Sequence, residues 1–255
     1  MFASQLLLAA ALSGAPAAAE PCVFEFAYTN QESSPFLART PPDLPMPGVA
    51  VEIVRAAATN MGCSARFVRR PGQRVLAEVG AGMHTGALMF SYSEERARKL
   101  AYPRLKGELD PNRRLARMIY YLYRAPGSTI EWDGVHLSHV DGAIGANFGY
   151  AVVAELRKLG AKVEEVATTA QNLEKLRRGR LAGYAMHEYG VDPLLRGGRY
   201  GAIEKLPTPL STRDYYLAFS RGFYERHREQ AERLWDEVAK VRDDITNERF
   251  IEYAR

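Results

Sequence analysis

Gly86-Ala87-Leu88-Met89-Phe90-Ser91-Tyr92-Ser93-Glu94-Glu95-Arg96-Ala97-Arg98-Lys99 is the stretch from which the fold of this chain is read. Ala87 to Phe90 is a short apolar run, the pattern of a strand buried on both faces. The chain then turns polar at Ser91 and enters a helix. Ser93 is a good N-cap, Glu94 and Glu95 suit the positive end of a first turn, and Arg98 and Lys99 lie four residues beyond them. A strand that ends in hydroxyls capping a helix leaves backbone N–H groups facing outward, here with the cation Arg96 just inside. That arrangement favours an anion, and a carboxylate is its natural guest.

The same alternation extends in both directions. Cys22 to Thr29 reads as a strand. Asn30 to Pro47 is a proline-rich surface loop, in which Ser34-Pro35-Phe36 sets an aromatic just beyond a strand's carboxyl end. Such positions hold ligands in open α/β sheets, but Phe36 tucked back onto the domain is an equally good reading. Gly48 to Gly62 is helical, with Val51, Val54, Ala58 and Met61 on one face. Ser64 to Val68 is a strand and Gln73 to Gly80 a short helix. The resulting β-α-β-α-β order implies a parallel sheet with right-handed crossovers. Arg104 to Arg114 shifts in composition and reads as a linker or lobe boundary. Beyond it, Met118 to Tyr123 and Val140 to Ala146 are strands. Asn147 is a candidate cap for a helix over Ala151 to Leu159. Val163 to Val166, Ala170 to Arg177, Leu181 to Met186 and Tyr215 to Phe219 continue the alternation. Two terminal helices, Tyr224 to Val241 and Ile245 to Tyr253, close the chain.

With 255 residues, 47% hydrophobic and 25% charged, the composition is that of an ordinary globular protein. Residues 1–19 carry a short apolar core, Leu6 to Leu12, and the small residues Ala17-Ala18-Ala19, the pattern of a cleaved secretory signal peptide, although the first residues hold no Lys or Arg. Export predicts a periplasmic location. It also makes a disulfide between Cys22 and Cys63 reasonable, since they open strands expected to be parallel neighbours. A net charge of +4 is mild. Arg69-Arg70 and Arg177-Arg178-Gly179-Arg180 lack the interleaved aromatics of a nucleic-acid track, so no nucleic-acid partner is expected. The glycines near Gly145 do not form a G-x-G-x-x-G fingerprint, and neither a nucleophile elbow nor a zinc motif is present. No cofactor and no metal are expected.

At this level of detail the chain resembles the periplasmic solute-binding proteins that serve polar amino-acid ABC transporters, solute-binding family 3. The resemblance runs over nearly all of the chain beyond residue 19. It is most specific in Ala81-Gly82-Met83-His84-Thr85-Gly86 through Arg96-Ala97, then Tyr102-Pro103. Gly48 to Glu52 and the segment Leu176 to Gly183 (LRRGRLAG) add to it. The fold it implies is the α/β type 2 periplasmic binding fold, two Rossmann-like lobes joined by a two-segment hinge. The boundaries expected are 20–106 plus 213–255 for the discontinuous first lobe and 107–212 for the second. The function it implies is capture of a small carboxylate-bearing solute, an amino acid or related organic anion, by a monomer that closes over it and delivers it to an ABC-type permease, without catalysis.

Carried over residue by residue, the resemblance makes Arg96 the partner of the ligand carboxylate, with Ser91 and Ser93 as hydroxyl and backbone donors beside it. Phe36 or Tyr28 would supply an aromatic wall, and Asn147 and Phe148 the second lobe's helix-end contact. One departure stands out. Where the amino-acid binders place an acid against the ligand ammonium, this chain has His187, followed by Glu188. Ala182 and Thr85 stand where the family pattern has aspartates. A neutral histidine is a poor partner for an ammonium and a protonated one repels it. Either Glu188 takes over or the ligand is not a standard α-amino acid; the second reading is the one favoured. His187 as a hydrogen-bonded rim residue is a further alternative. Two other functions stay open: a dehydratase-like enzyme on the same scaffold, with His187 and Glu188 as acid and base opposite Arg96, and a periplasmic sensor or accessory protein without a transporter.

Overall fold

The computed structural model describes residues 22–31, 33–38 and 41–253. The signal-peptide reading of residues 1–19 lies outside them. The first half of the fold is built from β1 (Val23–Thr29), α1 (Val49–Asn60), β2 (Ser64–Arg70), α2 (Gly72–Gly80), β3 (Gly86–Ser91) and the single turn α3 (Glu94–Ala97). β4 (Ala116–Arg124) leads into the second half: β5 (Ile144–Asn147), α4 (Val152–Lys158), β6 (Val163–Val166), α5 (Thr169–Arg177), β7 (Gly183–His187) and α6 (Glu188–Arg196). β8 (Ser211–Ser220) leads back to α7 (Arg221–Arg226) and α8 (Arg228–Tyr253).

The strands form one sheet in the order β6-β5-β7-β4-β8-β3-β1-β2. β1 pairs in parallel with β2 and β3, and β5 in parallel with β6 and β7, the strands of each set being joined by β-α-β crossovers. β4 and β8 are antiparallel to each other and stitch the sets together. Ala116 to Tyr120 of β4 pairs with Tyr215 to Ser211 of β8, while Tyr120 to Tyr123 of β4 passes on to pair with β7. The other end of β8, Tyr215 to Phe219, pairs with β3. These two strands are the crossings between the halves. The mixed sheet is what a chain that leaves one half and returns to it requires.

β1 is buried on both faces because helices cover each side of its set; Phe24, Phe26, Ala27 and Tyr28 are all inside. Phe26 meets Phe67 and Phe219, and Phe219 meets Trp235 of α8, whose indole N–H donates to the Leu217 carbonyl at 2.7 Å. At the starting ends of β1 and β2, Val23 and Ser64 are register partners, which brings Cys22 and Cys63 to a Cα separation of 4.7 Å and into a disulfide. The geometry is the one expected from strand starts lying side by side.

Residues 112–114 sit against α8: Arg113 pairs with Glu232 and Asp236, and Arg242 donates to the carbonyls of Asn112 and Arg114. Two local expectations are corrected. The strand over Val140 to Ala146 begins only at Ile144, because Gly142 sits at φ 117 in a turn. The two terminal helices are one from Arg228 to Tyr253, preceded by α7, which Ser220 caps. No Gly or Pro interrupts the sequence around Asp243-Asp244, and the half-buried Val241 and Ile245 keep that face on the core.

Candidate functional site

β3 is buried at every position and carries a bulge. Opposite it, β8 shifts register between Tyr216 and Leu217, so Met89 is the extra residue, with φ 63. Gly86 opens the strand where no side chain fits: a Cβ there would lie 2.5 Å from the Ala218 carbonyl oxygen. The bulge re-aims the end of β3, and Met89, Phe90 and Ser91 all line a cavity of about 60 Å3 between the two halves.

Arg96 reaches into this cavity from α3. Ser93 caps that turn, its hydroxyl accepting the Arg96 backbone N–H at 3.3 Å. The guanidinium is fixed from both sides of the cleft. Nη1 donates to the Ser91 carbonyl at 2.8 Å and the Ser91 hydroxyl at 3.0 Å; Nη2 donates to the Gly149 carbonyl at 3.2 Å. The carbon of the guanidinium stands 5.4 Å from the Phe90 ring centroid. Among the described residues this leaves Nε–H and the second Nη2–H without a partner. A guanidinium with two such N–H groups to spare can pair with a carboxylate. Arg96 is also the one charged side chain among the described residues lining the cavity; Tyr150, Tyr215, Met118 and Leu37 supply apolar wall.

Gly149 is a point of the second half that Arg96 and Gln73 of the first half approach. Its φ is +74, and a Cβ there would meet the Gln73 amide nitrogen at 2.3 Å. Its N–H donates to Glu165 at 3.0 Å. The positive φ is the conformation that favours glycine. Gln31, from the loop after β1, also bridges the halves, donating to the Ala167 carbonyl at 2.6 Å and accepting from the Asn147 amide at 3.4 Å.

Asn147 does not cap α4, whose N-cap position is Ala151 and which has no side-chain cap. It is buried and holds a network, with its Oδ1 accepting from Asn172 and Tyr184 and its amide donating to Thr169. Phe148 is 57% exposed and lines the cavity. Tyr28 and Phe36 do not. Tyr28 lies in the core with its hydroxyl accepting from Arg69, and Phe36 packs edge-on against Tyr189 and Phe250. The aromatic wall is made instead by Phe90, Phe148, Tyr150 and Tyr215. Thr85, standing where the family pattern has an acid, ties β3 to β1 by accepting the Glu25 N–H at 2.9 Å.

His187 lines the cavity and caps α6, its Nδ1 accepting the Gly190 N–H at 3.1 Å. That bond assigns the proton of the neutral ring to Nε2, which donates to Ser33 across the cleft at 3.3 Å. Tyr120 meets the ring edge-on. Burial pushes the His187 pKa down to about 4 from 6.5, so the ring is uncharged at neutral pH. Because the unfolded chain takes up a proton below about 6.5 and the folded one only below about 4, stability is lost as pH falls through that window, up to about 3 kcal/mol. His187→Asn keeps a cap without the titration. The stability advantage of the parent over this variant is therefore expected to shrink by that amount between pH 6.5 and 4 in urea melts. Glu188 does not line the cavity; it faces Lys205 at 3.7 Å. Among the described residues no group of three or more His, Cys, Asp or Glu is placed to hold a metal ion.

No protein-family model matches the chain and no curated protein matches its sequence. Solved structures do match. An amino acid ABC transporter substrate-binding protein from Streptococcus pneumoniae, bound to L-arginine, superposes with TM-score 0.69 at 15% identity, over 91% of this chain and 94% of its own. The chain has the type 2 periplasmic binding protein fold. The GluR0 ligand-binding core from Nostoc punctiforme, in complex with L-glutamate, shares that fold with TM-score 0.66 at 12% identity, over 90% and 97% of the two chains. So does a histidine kinase sensor domain described as similar to periplasmic binding proteins, with TM-score 0.70 at 16% identity over 92% and 96%. In this fold Arg96, Ser91 and Met89 come from one half, and Phe148, Gly149, Tyr150 and His187 from the other. Gln31, Gln73, Tyr150 and Tyr215 were not singled out in the sequence. Tyr215 carries the nearest thing to a signal, since it opens the strand-like run YYLAF.

Proposed function

We propose that this chain is an extracytoplasmic solute-binding protein. It captures a small carboxylate-bearing solute, an amino acid or related organic anion, in the cleft between its two lobes and presents it to an ABC-type permease. The observation that carries this reading is Arg96, the one charge on the cavity wall among the described residues, with guanidinium N–H groups left over from its bonds to Ser91 and Gly149. The disulfide supports an oxidising compartment. Similarity to proteins solved with L-arginine and L-glutamate supports small-molecule capture.

In this reading the first lobe comprises residues up to about 115 together with the end of β8, α7 and α8. The second lies between, and β4 and β8 are the hinge about which the lobes close. The bonds of Arg96 to Gly149, Gln31 to Ala167 and His187 to Ser33 are the contacts that closing makes. The dehydratase alternative needs His187 and Glu188 together at the cavity, and Glu188 is turned to Lys205. A sensor role would use the same capture step and closure, and similarity to a kinase sensor domain keeps it as the second reading.

The test is a thermal-shift panel of small carboxylates, each measured beside its primary amide. The proposal expects stabilisation by a carboxylate and none by its amide. Equal shifts from both members of every pair would sink it.

A further inference from the structure

The cavity beneath Arg96 has room for a few waters, on the order of a single carboxylate group, and is far smaller than a site that encloses a whole ligand. It does not end there. Gln31, Gly72, Gln73 and Phe148 line both this cavity and a groove of about 910 Å3, so the two spaces lie on either side of one collar. The groove runs between the same two halves of the molecule. Its lining includes Phe148, 57% exposed, and Pro193 and Leu194 of α6, Leu194 being 40% exposed. Tyr189 beside them is held edge-on by Phe36 and Phe250. Both exposed side chains offer apolar area that a ligand lying in the groove would cover. Among the described residues Glu165 is the one charged group lining the groove, and it is already committed, accepting from Arg157 at 2.8 Å and from the Gly149 N–H at 3.0 Å.

We infer that the groove is a second subsite that takes an uncharged apolar tail. The solute is then an elongated amphipathic monocarboxylate, an alkanoate or arylalkanoate, with its head at Arg96 and its tail passing the Gln31, Gln73 and Phe148 collar to lie on Leu194. This rests on the carboxylate reading above and adds length and polarity to it. The collar sets the division between the subsites. The head is recognised by hydrogen bonds, which fix one end of the molecule. The tail is recognised by burial of apolar area, which discriminates by length.

Titration calorimetry of the full chain with acetate, butyrate, hexanoate and octanoate tests it, using the parent, Arg96→Gln and Leu194→Asp. Leu194 is exposed, so its replacement leaves the fold in place. Affinity is expected to rise about fourfold per added methylene once the chain passes the collar. Leu194→Asp should weaken octanoate about tenfold or more and leave butyrate unchanged, and Arg96→Gln should remove both. Arg96-dependent binding with no dependence on length overturns this inference and spares the carboxylate reading. Octanoate binding that survives Arg96→Gln, or that Leu194→Asp does not weaken, also overturns it. Failure of every acid to bind overturns both.

Discussion

Arg96→Gln is expected to weaken capture of a carboxylate solute by about a hundredfold or more, with the melting temperature of the unliganded protein little changed. Two charge-assisted hydrogen bonds from one fork contribute about 1.5–3 kcal/mol each, and glutamine offers neither the charge nor the paired geometry. The guanidinium is not part of the apolar core; its partners are Ser91 at the end of β3, the Gly149 carbonyl and the Phe90 face. Arg96→Lys separates charge from geometry. Lysine restores the cation but not the fork, so it should recover only part of the affinity. Calorimetry on the three proteins checks this, and retention of full affinity by Arg96→Gln would remove Arg96 from the site.

The second large effect is on stability. Cys22 and Cys63 are 41 residues apart, and a closed loop of that length removes enough unfolded-state entropy to contribute about 4 kcal/mol. The Cys22→Ser, Cys63→Ser double variant is expected to lose about that much in guanidinium unfolding. The parent should match the variant once a reductant is present throughout. The bridge ties the starts of β1 and β2, at the end of the sheet away from the cavity, so ligand affinity in the folded variant should be unaffected. A difference below about 1 kcal/mol would mean that the unfolded chain is already compact there.

The part of the site that lies within one stretch of sequence was legible. The strand from Gly86, the Ser93 cap and the arginine behind it are local features, set by burial, capping and helix polarity within fourteen residues. The parallel β-α-β order was legible for the same reason, and so was the disulfide, because strand starts in a parallel pair coincide. What sequence did not disclose depends on contacts between distant segments. Phe36 and Tyr28 are aromatic residues at the right end of a strand, but which way each points is settled by Tyr189, Phe250 and Arg69, far along the chain. Tyr215 enters the site because β8 lies beside β3 and slips by one residue at Met89, and no local pattern announces that bulge. Gly149 looks like a turn glycine; that Gln73 approaches it from the other half is a property of the closed cleft. His187 was recognised as a departure. Its role as the cap of α6 follows only once the helix is seen to begin at Glu188.

In the proposed function Arg96 holds the carboxylate of a small solute between the two lobes. Native mass spectrometry reads this directly on the parent and on Arg96→Gln, each purified without denaturation and each incubated with whichever carboxylate stabilises the parent in the thermal-shift panel. A one-to-one adduct of that acid's mass is expected on the parent and none on Arg96→Gln at the same concentration. An adduct retained in equal abundance by Arg96→Gln would contradict it.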